Sequence, residues 1–368
     1  MDPFSQAALG AVVSQAVCHR QLGYRAAAIG ALAGALPDID VLFSVGGDYF
    51  DQLVRHRGIT HSLLFAPVAG PLLGALVWRI ERRRLAGPAT DPPAARGRAR
   101  LRSWMLVVTL ALLSHPLLDY LTPYGTQLLL PFSDTRFAIN AMPIIDPVYT
   151  LLLVLGLLIA GRFWRTRASR VAVGTLLLSS SYLGYGYFLN LAAEREAERQ
   201  LAASGIHDAR VAAFPTILQL HYRRVVARTP DRDRVGFISM WRPCDIAWSD
   251  APRDADGTLP VAAFLATREG RIFDWFSMGW ARYRIEAGGG GPVLRATDLR
   301  YGFTEDPDRS IFSASAVVDL AGRLVGPVRA GRDAADASGQ RLALLFQQTY
   351  TRECRPSTFD LFDGKAEG

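Results

Sequence analysis

Four apolar runs dominate the first half of the chain: SLLFAPVAGPLLGALVWRI from Ser62 to Ile80, WMLVVTLALLSHPLLDYL from Trp104 to Leu121, DPVYTLLLVLGLLIAGRFW from Asp146 to Trp164, and VAVGTLLLSSSYLGYGYFLNLA from Val171 to Ala192. Each approaches the roughly 20 residues a helix needs to cross a bilayer core. Gly and Pro inside them are tolerated in membrane helices. Two weaker runs precede them: Phe4–Cys18 is short and rich in small residues, and Ala26–Phe43 holds Pro37, Asp38 and Asp40. Both read as buried or interfacial helices, with membrane spans as the alternative.

After Glu194 the pattern changes. A charged stretch, AEREAERQLAASGIHDAR, reads as an exposed continuation of the fourth run. Period-two alternation follows in ILQLHYRRVVAR, RVGFISMW, GRIFDWFSMGWARYRIE, VLRATDLRYGF and SIFSASAVVDL, broken by TPDRDR, APRDADG, EAGGGGP and TEDPDR. Alternation between turn signals predicts antiparallel strands. The fold class expected is a mainly α membrane domain, with about four transmembrane helices plus interfacial helices, then a mostly antiparallel β extramembrane domain. The expected divisions are 1–61 (helices and loops), 62–192 (transmembrane bundle), 193–355 (β-rich domain) and 356–368 (tail).

Charge orients this scheme. The net charge of +7 rests on Arg, because Lys365 is the only lysine. The loop ERRRLAGPATDPPAARGRARLR between the first two runs is dense in Arg, and its Pro/Ala/Gly-rich middle is expected to be disordered. Arg162, Arg165, Arg167 and Arg170 crowd the turn between the last two runs, whereas Thr122–Ile145 holds only Arg136. The positive-inside rule makes the Arg-rich loops cytoplasmic, and places the N-terminal segment, the Thr122–Ile145 loop and everything after the fourth run outside. Arg beside apolar runs is a topology signal, so membrane lipids and not nucleic acid are the expected partners. The start MDPFSQAALG lacks the basic and long apolar regions of a cleavable signal peptide. Three cysteines make no disulfide framework, but Cys244 and Cys354 can pair if that region lies in an oxidising compartment.

Chemistry concentrates near the start. Four of the six histidines, His19, His56, His61 and His115, fall within the first 115 residues, with Asp38, Asp40, Asp51 and Asp119 nearby. His and Asp are ligands for zinc and related divalent ions. In HPLLDY, His115 and Asp119 are four apart and share one helical face near a span end, where ionisable groups are costly. A hydrogen-bonded pair bracing the bundle is the other reading. In RHRGITHS, Gly58 permits a turn that brings His56 and His61 together; solvated histidines in a basic loop are the alternative. In PDID an extended backbone turns Asp38 and Asp40 the same way, unless the segment is only a cap or turn. His19 alone is weak. Since the first two spans form a hairpin, His56, His61, Asp119 and PDID converge on one membrane face, and that face is the outer one by the Arg count.

The ordered set PDID, HRGITHS, HPLLDYLTPYGTQLLLPFS and IIDPVY resembles the YdjM-type family of inner-membrane metal-dependent hydrolases, described as LexA-regulated in some bacteria. The likeness covers about residues 1–190. More loosely, the order of His and Asp is similar to zinc-dependent phospholipase C and the related single-strand nucleases, although the full set of His in those enzymes is missing. The resemblance implies His19, Asp38, His56, His61, His115 and Asp119 as ligands of one or two zinc ions, with Asp40 a ligand or base. The expectation is hydrolysis of a phosphoester or lipid-linked substrate at the outer membrane face. Asp38 or Asp40 would accept the proton of water, Arg55 or Arg57 would hold phosphate, and Thr60, Ser62 and Tyr120 would orient ligands. The alternative is a structural or transport metal site with a β domain that binds a protein partner. His207, His221 and the Trp residues of the β region carry no constellation.

Overall fold

A computed structural model of the chain describes residues 2–85, 94–288, 291–331 and 339–350. The centre of the Arg-rich loop, Cys354 and the expected tail at 356–368 lie outside the described residues. Contacts divide the chain into two compact units, Met1–Gly46 with Arg55–Tyr185, and Gly47–Val54 with Gly186–Gly368.

The first unit is helical. Helix α1 (Pro3–Leu22) begins where Asp2 accepts a hydrogen bond from the Ser5 N–H, with Pro3 in the first turn; that placement suits proline, whose missing N–H costs nothing there. Gly23, with φ +63°, turns the chain into α2 (Tyr24–Ala35). The two helices touch backbone to backbone. A Cβ on Gly34 would lie 2.6 Å from the Gln6 carbonyl oxygen and 3.0 Å from Gly10 Cα. Small residues allow this approach where lipid removes the hydrophobic drive between helices. A 3-10 segment, Leu36–Ser44, follows α2. Helix α3 (Tyr49–Arg55) and the 3-10 turn Ile59–His61 lead into α4 (Phe65–Leu85), and α5 (Ala94–Tyr120) pairs with it. Helix α6 (Pro147–Arg162), capped by Asp146, and α7 (Ala168–Ala203) complete the helices of this half.

All four long apolar runs are helical, but fewer than four meet the length and apolarity of a span. Among the described residues Arg96–Tyr120 qualifies alone. Two bent pairs, Tyr49–His61 with Phe65–Arg84 and Pro147–Arg162 with Arg165–Ala203, raise the number to three at most. The reasons are local. Helix α4 carries Arg79, Glu81 and Arg82 near its end. The 16 residues of α6 rise only about 24 Å against a bilayer core of about 30 Å.

The expected boundary at 61 is not where the chain divides. Helix α1 packs on α2, α5 and α6, so the N-terminal segment is part of the bundle and not a separate domain. Residues 47–54 belong to the second unit, where Arg268 pairs with Asp48 and Asp51. The other boundary falls inside α7, after Tyr185.

The second unit holds two four-stranded antiparallel sheets. The first, in order, is β1 (Arg210–Pro215), β2 (Tyr222–Arg228), β3 (Arg232–Ser239) and β4 (Ser249–Pro252). The second is β5 (Ala281–Gly288), β6 (Gly291–Asp298), β7 (Ser313–Val318) and β8 (Leu324–Gly331). Helices α8 (Leu259–Ala266) and α9 (Arg268–Phe276) lie between the sheets in sequence, and α10 (Gly339–Tyr350) follows them. The end of α7 is no exposed extension: Ala193 and Ala197 are buried against Ala213, Val225 and Ile238 of the first sheet. GRIFDWF, expected as strand, is helix α9. Thr267 caps it by accepting from the Gly270 N–H, and Gly270, Phe273 and Phe276 are buried at a spacing of three, a helical face that outweighs the short alternation. Cys244 is disulfide-bonded and Cys18 is a buried free thiol.

Candidate metal centre

Two short loops and one helix end build the site. Asp38 and Asp40 come from Leu36–Ser44, which is 3-10 and not extended. Its three residues per turn set the two carboxylates at different depths around the site. His61 comes from the turn Ile59–His61, and His115 and Asp119 from the last turns of α5. The left-handed residue before the turn is Arg57, φ +60°, rather than Gly58. A non-glycine there is uncommon, and Arg57 is fixed at both backbone groups: its N–H donates to Asp40 Oδ2 at 2.8 Å and its carbonyl accepts from the Gln127 N–H at 3.3 Å.

Asp38, His61, His115 and Asp119 each turn one donor atom to a common point, all within 4.8 Å of one another. His61 Nε2 lies 2.9 Å from His115 Nε2. The same nitrogen lies 3.2 Å from Asp119 Oδ2 and 3.6 Å from Asp38 Oδ1. His115 Nε2 lies 3.3 Å from Asp38 Oδ1 and 3.6 Å from Asp119 Oδ2. Four ligands about 2.0–2.1 Å from a zinc ion stand at the corners of a tetrahedron with edges of about 3.3 Å, and the five distances bracket that edge.

Hydrogen bonds around the group decide which nitrogens face inward. His115 Nδ1 meets the Gly34 carbonyl oxygen at 2.6 Å, which only accepts, so Nδ1 carries the proton and Nε2 presents a lone pair. His61 Nδ1 faces Asp40 Oδ2 at 3.2 Å and the Thr60 hydroxyl at 3.1 Å, which gives the same tautomer. A histidine whose outer nitrogen donates to a carboxylate or carbonyl is the usual arrangement behind a metal. Two ring nitrogens 2.9 Å apart, beside two carboxylates, share either one proton or a metal ion between them. Both oxygens of Asp38 are buried atoms that receive no hydrogen bond. Burial raises the Asp38 carboxyl, but the N–H hydrogen and positive charge of the His115 and His61 rings, where a proton stands in for a metal ion, outweigh it and hold the group below the ordinary carboxylate range. Burial likewise raises Asp40, and His56 and His61 bring it below that range. The residues fit a divalent ion by donor type, spacing and orientation.

The expected site residues divide accordingly. His56 supports the group without joining it, with Nδ1 3.0 Å from Asp40 Oδ1. Asp40 is engaged by His56, His61, Thr60 and the Arg57 N–H, so it orients His61 and is saturated as a base. Arg57 is not available to phosphate. Its buried guanidinium pairs with Asp119 Oδ2 at 3.2 Å, donates to Thr122 Oγ1 at 2.7 Å and lies over the Tyr124 ring. Breaking such a buried pair costs about 3–5 kcal/mol. His19 lies elsewhere. Gln6 of α1 donates to Asp119 Oδ1, and His19 follows it thirteen residues later, roughly 20 Å along the helix at about 1.5 Å per residue. His19 stacks edge-on with Tyr24. Thr60 takes its expected place, whereas among the described residues no hydrogen bond or ion pair ties the Ser62 or Tyr120 side chain to the group.

Sequence reasoning missed Gln6, Gly34, Thr122 and Tyr124. Gln6 had a signal: with Ser5, Ser14 and Gln15 it is a polar residue within the mostly apolar first four turns of the helix, and all four are buried. Buried intramembrane polar groups have partners.

The sequence pattern of the YdjM inner membrane protein family matches residues 1–193, a stretch that contains every residue of the group. This chain belongs to the YdjM inner membrane protein family. A curated relative, "Inner membrane protein YbcI" of Escherichia coli (strain K12), is 40% identical over 110 residues, which are 29% of this chain and 54% of the relative. The chain thus spans about half the length of that relative. No solved structure matches the chain. The YdjM match ends inside α7, and both sheets of the second unit lie beyond it. As the family is one of bacterial inner-membrane proteins, the cluster belongs to a membrane protein of that compartment.

Proposed function

We propose that this protein is a multi-pass inner-membrane hydrolase that holds a divalent metal, most simply zinc, on Asp38, His61, His115 and Asp119, and cleaves a phosphoester of a lipid or lipid-linked substrate at the outer membrane face. One observation carries the reading: a four-member His/Asp donor group sunk in the fold, whose least buried side chain is that of Asp38, although both Asp38 carboxylate oxygens are themselves buried. The side chains of His61, His115 and Asp119 are 0% exposed, and that of Asp38 is 15% exposed.

A divalent ion held there supplies Lewis acidity and lowers the pKa of water at the site toward neutrality. The chain's own residues do the rest. Asp40 and the Gly34 carbonyl fix the two imidazoles. Arg57 and Gln6 grip the two oxygens of Asp119 and keep Oδ2 turned inward. Asp38, the least buried of the four side chains, would hold the ion from the side nearest the surface. Buried surroundings exclude bulk water and strengthen each of these interactions.

Topology supports the location. Exposed aliphatic side chains run from Leu64 down α4 (Val68, Leu72, Leu76) and down α6 (Leu151, Leu155, Leu158). These faces suit lipid, which favours four spans over the smaller number given by length alone. A disulfide at Cys244 fits an oxidising compartment for the second unit.

The second reading is a structural or transport metal site, with the β unit binding a protein partner. The same tetrahedron favours it, since structural zinc sites use four protein ligands and catalytic ones keep a position for water. One experiment separates the readings. The protein is purified in detergent, its metal content measured, and a soluble phosphodiester offered to wild type, His61→Ala and His115→Ala. Bound metal with hydrolysis lost in both variants supports the hydrolase. Metal without hydrolysis selects the structural or transport site, and wild type free of metal overturns both.

A further inference from the structure

We propose that the mouth of the metal centre is ringed by an apolar collar that inserts into the bilayer, so that the substrate is an amphiphile whose tail stays in the lipid while its phosphoester reaches Asp38. This rests on the hydrolytic reading for the word substrate, but the insertion itself does not.

Every segment that supplies or braces a ligand also exposes an apolar side chain. The 3-10 segment Leu36–Ser44 turns Asp40 inward and leaves Ile39, Val41 and Leu42 exposed, followed by Val45 at 78%. In a 3-10 helix residues three apart eclipse one another, so Val41 stands one turn from Asp38 on the same face, beside the least buried of the four ligands. Ile59, two residues before His61, is exposed as well. Phe132, 84% exposed, belongs to a loop bound to the ligand turn, where the Gln127 N–H donates to the Arg57 carbonyl and the Leu63 N–H to the Leu128 carbonyl.

Charge is sparse on the outer side of these segments, where Arg55 and Asp134 are exposed beside Ile59 and Phe132. Residues 36–46 contain two ionisable groups, Asp38 and Asp40, and both are committed to the site; residues 126–133 contain none. A loop meeting water carries polar residues, and contiguous exposed apolar surface marks an interaction site. The occupant is the bilayer, because the collar runs on into a lipid-suited face: Ile59 precedes Leu64, Val68, Leu72 and Leu76, which recur every four residues along one exposed side of the chain entering and forming α4.

The test uses the full chain in vesicles of phosphatidylethanolamine and phosphatidylglycerol. Spin labels are placed at Val45→Cys and Phe132→Cys, with Val68→Cys as the lipid-facing reference. Insertion predicts that molecular oxygen relaxes the labels more than a water-soluble nickel chelate does, as at position 68. The reverse order at both sites overturns the collar, and so does a soluble protein that shields them in place of lipid. A second arm uses Leu42→Asp and Val45→Asp, neither in the metal group. A long-chain phosphodiester presented in vesicles should be cleaved about tenfold or more slowly, the scale of one buried aliphatic side chain, while a soluble short-chain phosphodiester is cleaved as by wild type. Equal loss on both substrates overturns entry from the bilayer. Absence of any hydrolysis by wild type sinks the enzymatic reading and leaves the spin-label result to judge the collar alone.

Discussion

His61 and His115, 54 residues apart in the chain, face each other through their Nε2 atoms at 2.9 Å. Both outer nitrogens are committed, one to Asp40 and the other to the Gly34 carbonyl. The inner nitrogens are therefore bridged either by one shared proton or by a metal ion, and beside two carboxylates the doubly charged ion offsets more of the charge. Metal should accordingly stabilise the fold. A ligand present at about one hundred times its dissociation constant contributes about 2.7 kcal/mol, so treatment with a strong chelator is expected to lower the melting temperature of the detergent-purified protein by several degrees, and zinc to restore it. A melting curve indifferent to chelator contradicts the cation.

His19 and His115 should behave oppositely. His115→Ala is expected to abolish bound metal. His19→Ala, roughly 20 Å from the group along α1 by the rise of an α-helix, is expected to leave the metal content of the protein unchanged. Elemental analysis of the two purified variants checks this, and metal loss in His19→Ala would refute the assignment.

Asp40→Asn keeps the size of the side chain and removes the charge behind His61. Outer partners of this kind are worth about 10- to 100-fold in metal affinity. The variant should bind zinc more weakly by that factor in competition with a chromogenic chelator, while Asp51→Asn, whose partner is Arg268 in the second unit, should match wild type.

Gly34→Ala tests the contact that places α2 against α1. The new methyl would meet the Gln6 carbonyl at 2.6 Å and Gly10 Cα at 3.0 Å, both backbone and unable to yield cheaply. Overpacking of this sort costs about 1–3 kcal/mol. Because Gly34 also holds His115 and Gln6 holds Asp119, metal affinity should fall together with thermal stability. Gly97→Ala in α5, with no atom within 4 Å of the new methyl, should leave both unharmed.

The helical half was legible because its signals are local. Long apolar runs and Arg at their ends appear in any short window, and the four-residue spacing of His115 and Asp119 sets them on one face whatever surrounds the helix. The order of PDID, HRGITHS and HPLLDY was enough to point to the family, and most of the β unit followed from alternation. Local signals misled where two periodicities overlapped, as in GRIFDWF, whose spacing-of-three face became α9.

The sequence by itself determined which residue types were available and at which end of the spans they lie. Tertiary structure decided their roles. Asp38 and Asp40 are chemically equivalent in the sequence, yet one faces the common point and the other stands behind His61. Arg57 and His19 are indistinguishable from ligand-site residues until Asp119 claims the first and the length of α1 removes the second. The physical reason is that a tetrahedral donor group is defined by separations of about 3 Å between residues far apart in the chain, and only the packing of Gly34 against Gly10 and of the Arg57 turn against α5 sets separations that fine.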